Sequence, residues 1–238
     1  LGRRRIRLLA QRLFSWRFIR IRSIGGDDLK FILLVEGEAE RVALPTFIER
    51  WLDPRLDPRV GVKPVKLRGS GKYVKEVAEM VRDQLSSPDR KEIVAVIGLL
   101  DLYGLPNDFC PSGLSDAQAR YNWAKQKLEG IVGQTKFHQF FAVHELEAWL
   151  LSDPNIFHRD VRKGFPASVK NPESVNFNQP PAQLLERLYQ KKLGRPYRKV
   201  VDGRNLFSKL SPEMAYKKCP RLKEMFEEML RLAKNSGN

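Results

Sequence analysis

Carboxylates recur directly behind the most apolar segments of this sequence. Glu36-Gly37-Glu38-Ala39-Glu40 follows Phe31–Val35, Asp101 follows Ile93–Leu100, and His144-Glu145-Leu146-Glu147 follows Phe137–Val143. A fourth segment, Val62–Leu67, runs instead into Gly69-Ser70-Gly71-Lys72. Clustered carboxylates repel one another unless something neutralises them. Their hard oxygen ligands suit magnesium or manganese, which take one or two protein carboxylates and leave the rest to water and phosphate. Ions presented to a nucleic-acid backbone in this way can activate an attacking oxygen and stabilise a leaving one. Each acid alone has a plainer use, because a carboxylate behind a strand complements the dipole of the next helix. As a set they point to metal.

Glu36 and Asp101 form the pair expected to carry catalysis, each following a buried strand. The expected metal ligands are Glu36, Glu40, Asp101 and Glu147. Glu40 either shares an ion with Glu36 or is a solvated first-turn acid, and Glu38 is expected to face solvent. Glu145 and Glu147 are two residues apart, so only one faces the site, and Glu147 is the choice. His144 could orient water, touch phosphate or ligate metal, or simply be hydrogen-bonded. The glycine-rich segment is not a Walker A loop, because Lys66 stands where the first Gly belongs and Tyr73 where Ser or Thr belongs. It could still cradle phosphate at a helix N-terminus with Lys72 as a point charge, or be a short turn. Gly69, Gly71, Lys72 and His144 are therefore the expected phosphate contacts.

These residues need strands to hold them. Phe31–Val35 and Ile93–Leu100 are continuous apolar runs, as in strands buried on both faces. Val62–Leu67 reads as an edge strand, since Pro64 cannot donate to a ladder, and Phe137–Val143 as a fourth strand. Between them lie helical patterns: Leu44, Phe47, Ile48, Trp51 and Leu52; Val74, Val77, Ala78, Val81 and Leu85; Tyr121, Ala124, Leu128, Ile131 and Val132. Pro45 fits the first of these if that helix opens near Arg41. Ser115-x-x-Gln118 reads as a capping box, and Glu145–Leu151 as a short helix stopped by Pro154. Strand and helix alternate, which predicts α/β with a mainly parallel sheet and helices on both faces. In such sheets ligands bind at the carboxyl ends of the strands. Residues 154–181, rich in Pro and Asn, read as extended connection. Two helices follow, one carrying Leu184, Leu185, Leu188 and Tyr189, the other spanning Arg221–Ala233. The expected organisation is a basic arm over 1–28, poorly ordered or not native, an α/β domain over 29–153, and a C-terminal helical extension over 154–238 packed on it.

The 238 residues carry 43 Lys and Arg against 28 Asp and Glu, a net charge of +15. Eight Arg and no acid fall within residues 1–26, leaving +7 for the remainder. A basic body implies a polyanionic partner, most often nucleic acid, although charge also serves solubility. No apolar run approaches the ~20 residues of a membrane span. Cys110 and Cys219 are the only cysteines, so neither a disulfide framework nor a CxxC metal knuckle is available. A reducing, cytoplasmic setting is expected.

An apolar strand ending in Glu-Gly (Leu33-Leu-Val-Glu36-Gly37), followed by a later one ending in Asp (Ile97-Gly-Leu-Leu-Asp101), resembles the toprim domain of topoisomerases, bacterial primases, recombination proteins and overcoming-lysogenization-defect nucleases. Val35-Glu-Gly-Glu-Ala-Glu40, Asp101-Leu-Tyr-Gly-Leu-Pro106 and His144-Glu-Leu-Glu-Ala-Trp-Leu-Leu-Ser-Asp-Pro154 are similar to the toprim-like family called domain of unknown function 4276, from about Phe31 to Cys219-Pro220-Arg221-Leu222. The resemblance implies a toprim-like α/β fold, divalent metal binding, nucleic-acid cleavage, and action beside an AAA-type ATPase in anti-phage defence. Glu36 would be the acid/base or metal-linked glutamate and Asp101 a metal ligand. The common toprim pattern is Asp-x-Asp, whereas Tyr103 replaces the second acid here, so a full two-metal site requires Glu40 or Glu147 to substitute.

The leading expectation is a Mg2+- or Mn2+-dependent nuclease of the toprim type, acting on DNA ahead of RNA. The rival is a non-catalytic nucleic-acid-binding or partner-docking subunit on a degenerate toprim scaffold.

Overall fold

The computed structural model describes residues 29–67, 69–114, 116–165, 169–174 and 180–236. The basic arm expected over 1–28 and the capping Ser115 lie outside them. Four strands, β1 (Lys30–Val35), β2 (Gly61–Lys66), β3 (Ile93–Asp101) and β4 (Phe137–Ala142), form one parallel sheet in the order β2-β1-β3-β4. The expected α/β fold class, with helices on both faces and further helices after the sheet, is the one found. β2 lies at the edge, as its proline requires.

Burial on both faces explains the unbroken apolar runs. Phe31, Leu33, Val35, Ile97 and Phe140 face one core with α1 (Glu38–Leu52) and the C-terminal helices. Ile32, Leu34, Val96 and Phe141 face the other, with α2 (Ser70–Ser86) and α3 (Ala117–Val132). The register shifts where Lys30/Phe31 meet Ile93/Ala95, which lets Val94 and Ala95 both join the first core. At Gly98, in the middle of β3, a Cβ would collide with the Tyr73 hydroxyl and the Gln139 side chain. These two make a fully buried hydrogen bond of 2.7 Å. Gly98→Ala is therefore expected to lower stability by about 1–3 kcal/mol through overpacking, read as a lower urea midpoint at unchanged slope.

Several local expectations are corrected. The first helix opens at Glu38 rather than near Arg41, which places Pro45 inside it. The burial of Ala43, Leu44, Phe47 and Ile48 around Pro45 outweighs the one lost backbone bond. The side chain capping α3 is Asp116, accepting from Ala119 N–H at 2.7 Å. The stretch read as extended contains short helical turns at Pro154–Ile156 and Pro172–Ser174, and α5 (Arg159–Arg162). The short helix α4 spans Glu147–Leu150. Beyond it come α6 (Pro181–Leu193), α7 (Lys199–Lys209), α8 (Pro212–Lys218) and α9 (Pro220–Ser236). The sequence reading passed over α7 and α8, whose apolar positions are too few for a clear stripe.

The C-terminal helices share the core of the sheet. Phe226 of α9 and Phe207 of α7 pack on Phe47 of α1 with ring centroids 5.9 and 5.2 Å away. The Arg50 guanidinium, also on α1, donates to the carbonyls of Phe207, Ser208 and Leu210 at 2.7–2.9 Å and so closes the C-terminus of α7. α7 is clamped to α1, and that clamp bears on the site.

Candidate functional site

β2 and β3 lie on opposite sides of β1. The chain therefore reverses its winding between β1 and β3, and a crevice opens beyond their carboxyl ends. Glu36 and Asp101 end those two neighbouring strands, with Val35 level with Leu99 across the pair.

Glu36 is half-buried. Burial pushes its carboxyl above the ordinary range, and the backbone of Ser70, at the start of α2, opposes that rise. The helix N-terminus expected to cradle phosphate thus faces Glu36. Gly69 holds φ +83° as the residue before α2, and Ser70 Oγ donates to Gly104 O at 2.6 Å, tying α2 to the loop after β3. Lys72 points along α2 toward Glu76 at 3.5 Å. Gly71 lies in the first turn of α2, with Pro106 4.0 Å from where its Cβ would be.

The other acids of the first motif divide by helical geometry. Glu38 faces outward to Arg41 and Lys66. Glu40 turns inward, its side chain 12% exposed, and folds over Gly37 so closely that any side chain at Gly37 would strike it. Glu-Gly-Glu-Ala-Glu thus places two of its three carboxylates on the crevice.

The fourth strand's motif is a set of separate tasks. Glu145 accepts from Ala182 N–H at 2.7 Å and caps the start of α6. Glu147 is 3% exposed and faces inward. The Trp149 indole donates to Glu173 at 3.0 Å, and Glu173 also accepts from the N–H groups of Arg221 and Leu222, which begin α9. His144 stacks against Tyr103 with centroids 5.5 Å apart and planes 13° apart, and burial lowers its pKa.

The residue at the centre was missed in the sequence. Lys199, in the first turn of α7, places its ammonium 3.3 Å from Glu147 Oε2 and 3.8 Å from Glu40 Oε1. Burial works against its charge, but Glu147, Asp101, Glu40 and Glu145 outweigh burial and raise its pKa. It is held there by Asp202, which pairs with both Arg195 nitrogens at 2.8 Å and caps Arg198 N–H. Burial also pushes the Asp101 carboxyl well above the ordinary range. Lys199 opposes that rise, and Glu147, Glu40 and Glu145 add to it. Glu147 is raised in the same way.

Among the described residues, no group of three or more His, Cys, Asp or Glu side chains is gathered closely enough to enclose an ion. The donor chemistry nonetheless fits a hard cation. Glu36, Glu40, Asp101 and Glu147 offer only carboxylate oxygens, and they outnumber the one ammonium among them, which lies 3.3 Å from Glu147 Oε2.

A parallel α/β sheet with an acidic crevice at its topological reversal is the class of protein these features define. The chain belongs to the family described as Domain of unknown function (DUF4276), whose model matches residues 35–230. No curated protein matches it. Among solved structures it is similar to the C-terminal region of the Xanthomonas campestris pv. campestris OLD protein, at 17% identity and TM-score 0.44, over 88% of this chain and 96% of that one. It is also similar to the C-terminal region of the Burkholderia pseudomallei OLD protein, at 16% identity and TM-score 0.42, over 87% of this chain and 98% of that one. No described helix is long and apolar enough to cross a membrane.

Proposed function

We propose that the chain hydrolyses phosphodiester bonds of nucleic acid with a divalent cation, Mg2+ or Mn2+, on a toprim-type scaffold. The observation that supports this reading is the placing of Glu36 and Asp101 at the ends of adjacent strands, beside Glu40 and Glu147, which flank Lys199. Glu36, Glu40 and Asp101 would hold the cation, with Glu147 opposite Lys199. When bound, the ion supplies Lewis-acid neutralisation of charge on the phosphoryl group. Glu36, whose carboxyl burial raises above the ordinary range, would take a proton from attacking water. Lys199 keeps its proton and gives the phosphate a fixed positive charge. The net charge of +15 supports a polyanionic substrate, DNA ahead of RNA. An AAA-type ATPase partner and a place in anti-phage defence belong to this proposal through the toprim resemblance alone, and a cytoplasmic setting through the cysteine content.

One observation favours a second reading. Lys199 already neutralises part of the acidic cluster without an ion, as a scaffold that binds nucleic acid or a partner without cutting would require. The two separate in one assay: single- and double-stranded DNA and RNA incubated with the purified chain in Mg2+, Mn2+ or EDTA. Cleavage with either metal and none in EDTA is the expected result. Salt-dependent binding without cleavage under any metal would replace the nuclease with the scaffold.

A further inference from the structure

Beside the acidic crevice, at the carboxyl ends of β3 and β4, lies an open cavity of about 450 Å³, lined by Tyr103, Asp116, Gln118, His144, Glu173 and Arg221 among others. That volume falls in the range of small-molecule sites. Tyr103 is 49% exposed, unusual for a large aromatic side chain, and sits two residues beyond Asp101. It is not a loose side chain, because His144 stacks parallel to it and the Arg120 guanidinium lies 5.6 Å from its ring centre. The walls hold the Asn171 amide, able to donate and accept hydrogen bonds, and Gln118, whose amide already donates to Asn122 and accepts from Arg221. The Arg120 Nε is buried and has no hydrogen-bond partner.

We propose that this cavity takes an unpaired nucleobase, stacked on the Tyr103–His144 pair, so that the substrate class of the neighbouring acidic site is single-stranded nucleic acid. The proposal rests on the nucleic-acid reading above and deepens it. A flat, exposed and braced aromatic surface suits a planar ring, and stacking tolerates any base because every base has a π-face. The Asn171 amide offers a partner for the base edge, and Arg120 brings positive charge beside the ring, whereas Arg221 is paired with Glu224. In a duplex the bases are already stacked and paired, so their faces cannot reach Tyr103. The position of Tyr103, two residues from Asp101, puts the stacked nucleotide next to the backbone that the acids would address.

The test separates this proposal from catalysis by working in EDTA. Fluorescence anisotropy compares a labelled short oligothymidylate, an abasic strand of equal length and a duplex, using the intact chain, Tyr103→Ala and Tyr103→Trp. The intact chain is expected to bind oligothymidylate about tenfold more tightly than the abasic strand. Tyr103→Ala is expected to bind both alike, and Tyr103→Trp to restore the difference. Thermal melts of the three proteins check that the substitutions leave the fold intact. Equal binding of oligothymidylate and abasic strand by the intact chain overturns the proposal, as does a difference that survives in Tyr103→Ala, or no binding to any strand. Because no metal is present, a base-dependent difference would stand even if the chain cut nothing. A metal-dependent nuclease lacking this difference would lose only the single-strand assignment.

Discussion

Asp101→Asn is expected to abolish metal-dependent cleavage, with a loss of about 10³-fold or more in rate, while the folded protein becomes more stable without metal. The two effects share one cause. Asp101 is an acid at a strand end surrounded by Glu147, Glu40 and Glu145, and burial holds its carboxyl well above the ordinary range. Removing the charge removes that cost, and a gain of about 1 kcal/mol is the scale expected where function requires a strained site. For a chain of this size it corresponds to about 2–4 °C in melting temperature.

The pH dependence follows from the direction of the shift. A carboxyl whose folded pKa lies above its unfolded value contributes stability below the unfolded value and loses it as pH rises through the folded one. In EDTA the wild-type chain should therefore lose stability as pH climbs above the ordinary carboxylate range. Asp101→Asn should lose less over the same interval, and Mg2+ should protect wild type more than the variant. Melts at several pH values, with and without Mg2+, read all three effects. A variant that cleaves at the wild-type rate would remove Asp101 from the mechanism. One that is inactive but markedly less stable would make its role structural.

The second large effect is expected at Lys199. Lys199→Met should lower the cleavage rate by about 10²–10³-fold, the loss seen when one fixed charge or donor at a developing anion is removed. Here stability should fall, in the opposite direction to Asp101→Asn, because Glu40 and Glu147 lose the ammonium between them. Breaking a fully buried pair costs about 3–5 kcal/mol. The Lys199 side chain is 40% exposed, so solvent screening reduces the expected loss to about 1–2 kcal/mol. Single-turnover cleavage and urea denaturation of the same preparation separate the two quantities. Faster cleavage in Lys199→Met would mean that the lysine blocks the cation rather than assisting the reaction.

Much of this site was legible in the chain. Phe31–Val35 and Ile93–Leu100 are too uniformly apolar to face solvent on either side, so they had to be central strands, and the helices between them made parallel pairing the natural arrangement. The acids behind such strands had to emerge at one edge. Glu38 could be set apart from Glu40 because residues two apart on a helix point in different directions, and its partners Arg41 and Lys66 lie outside the crevice.

Other features required the tertiary structure. Strand order comes from long-range packing. Nothing local says that β3 crosses to the far side of β1, yet that crossing puts Glu36 and Asp101 on adjacent strands at the reversal. Lys199 sits in Arg198-Lys199-Val200-Val201, where it resembles any solvated lysine. It reaches the acids because Arg50 and Asp202 fix the two ends of α7 against the rest of the fold. The separate tasks of Glu145, Glu147 and Glu173 depend on where α6, α7 and α9 arrive, more than 30 residues away in the chain for the first of them. Residue type and periodicity determined the strands and the edge at which their acids emerge, because burial of a strand is a local property of its side chains. Which acids meet, and around which cation, was decided by the packing of distant helices, because that is a property of the assembled core.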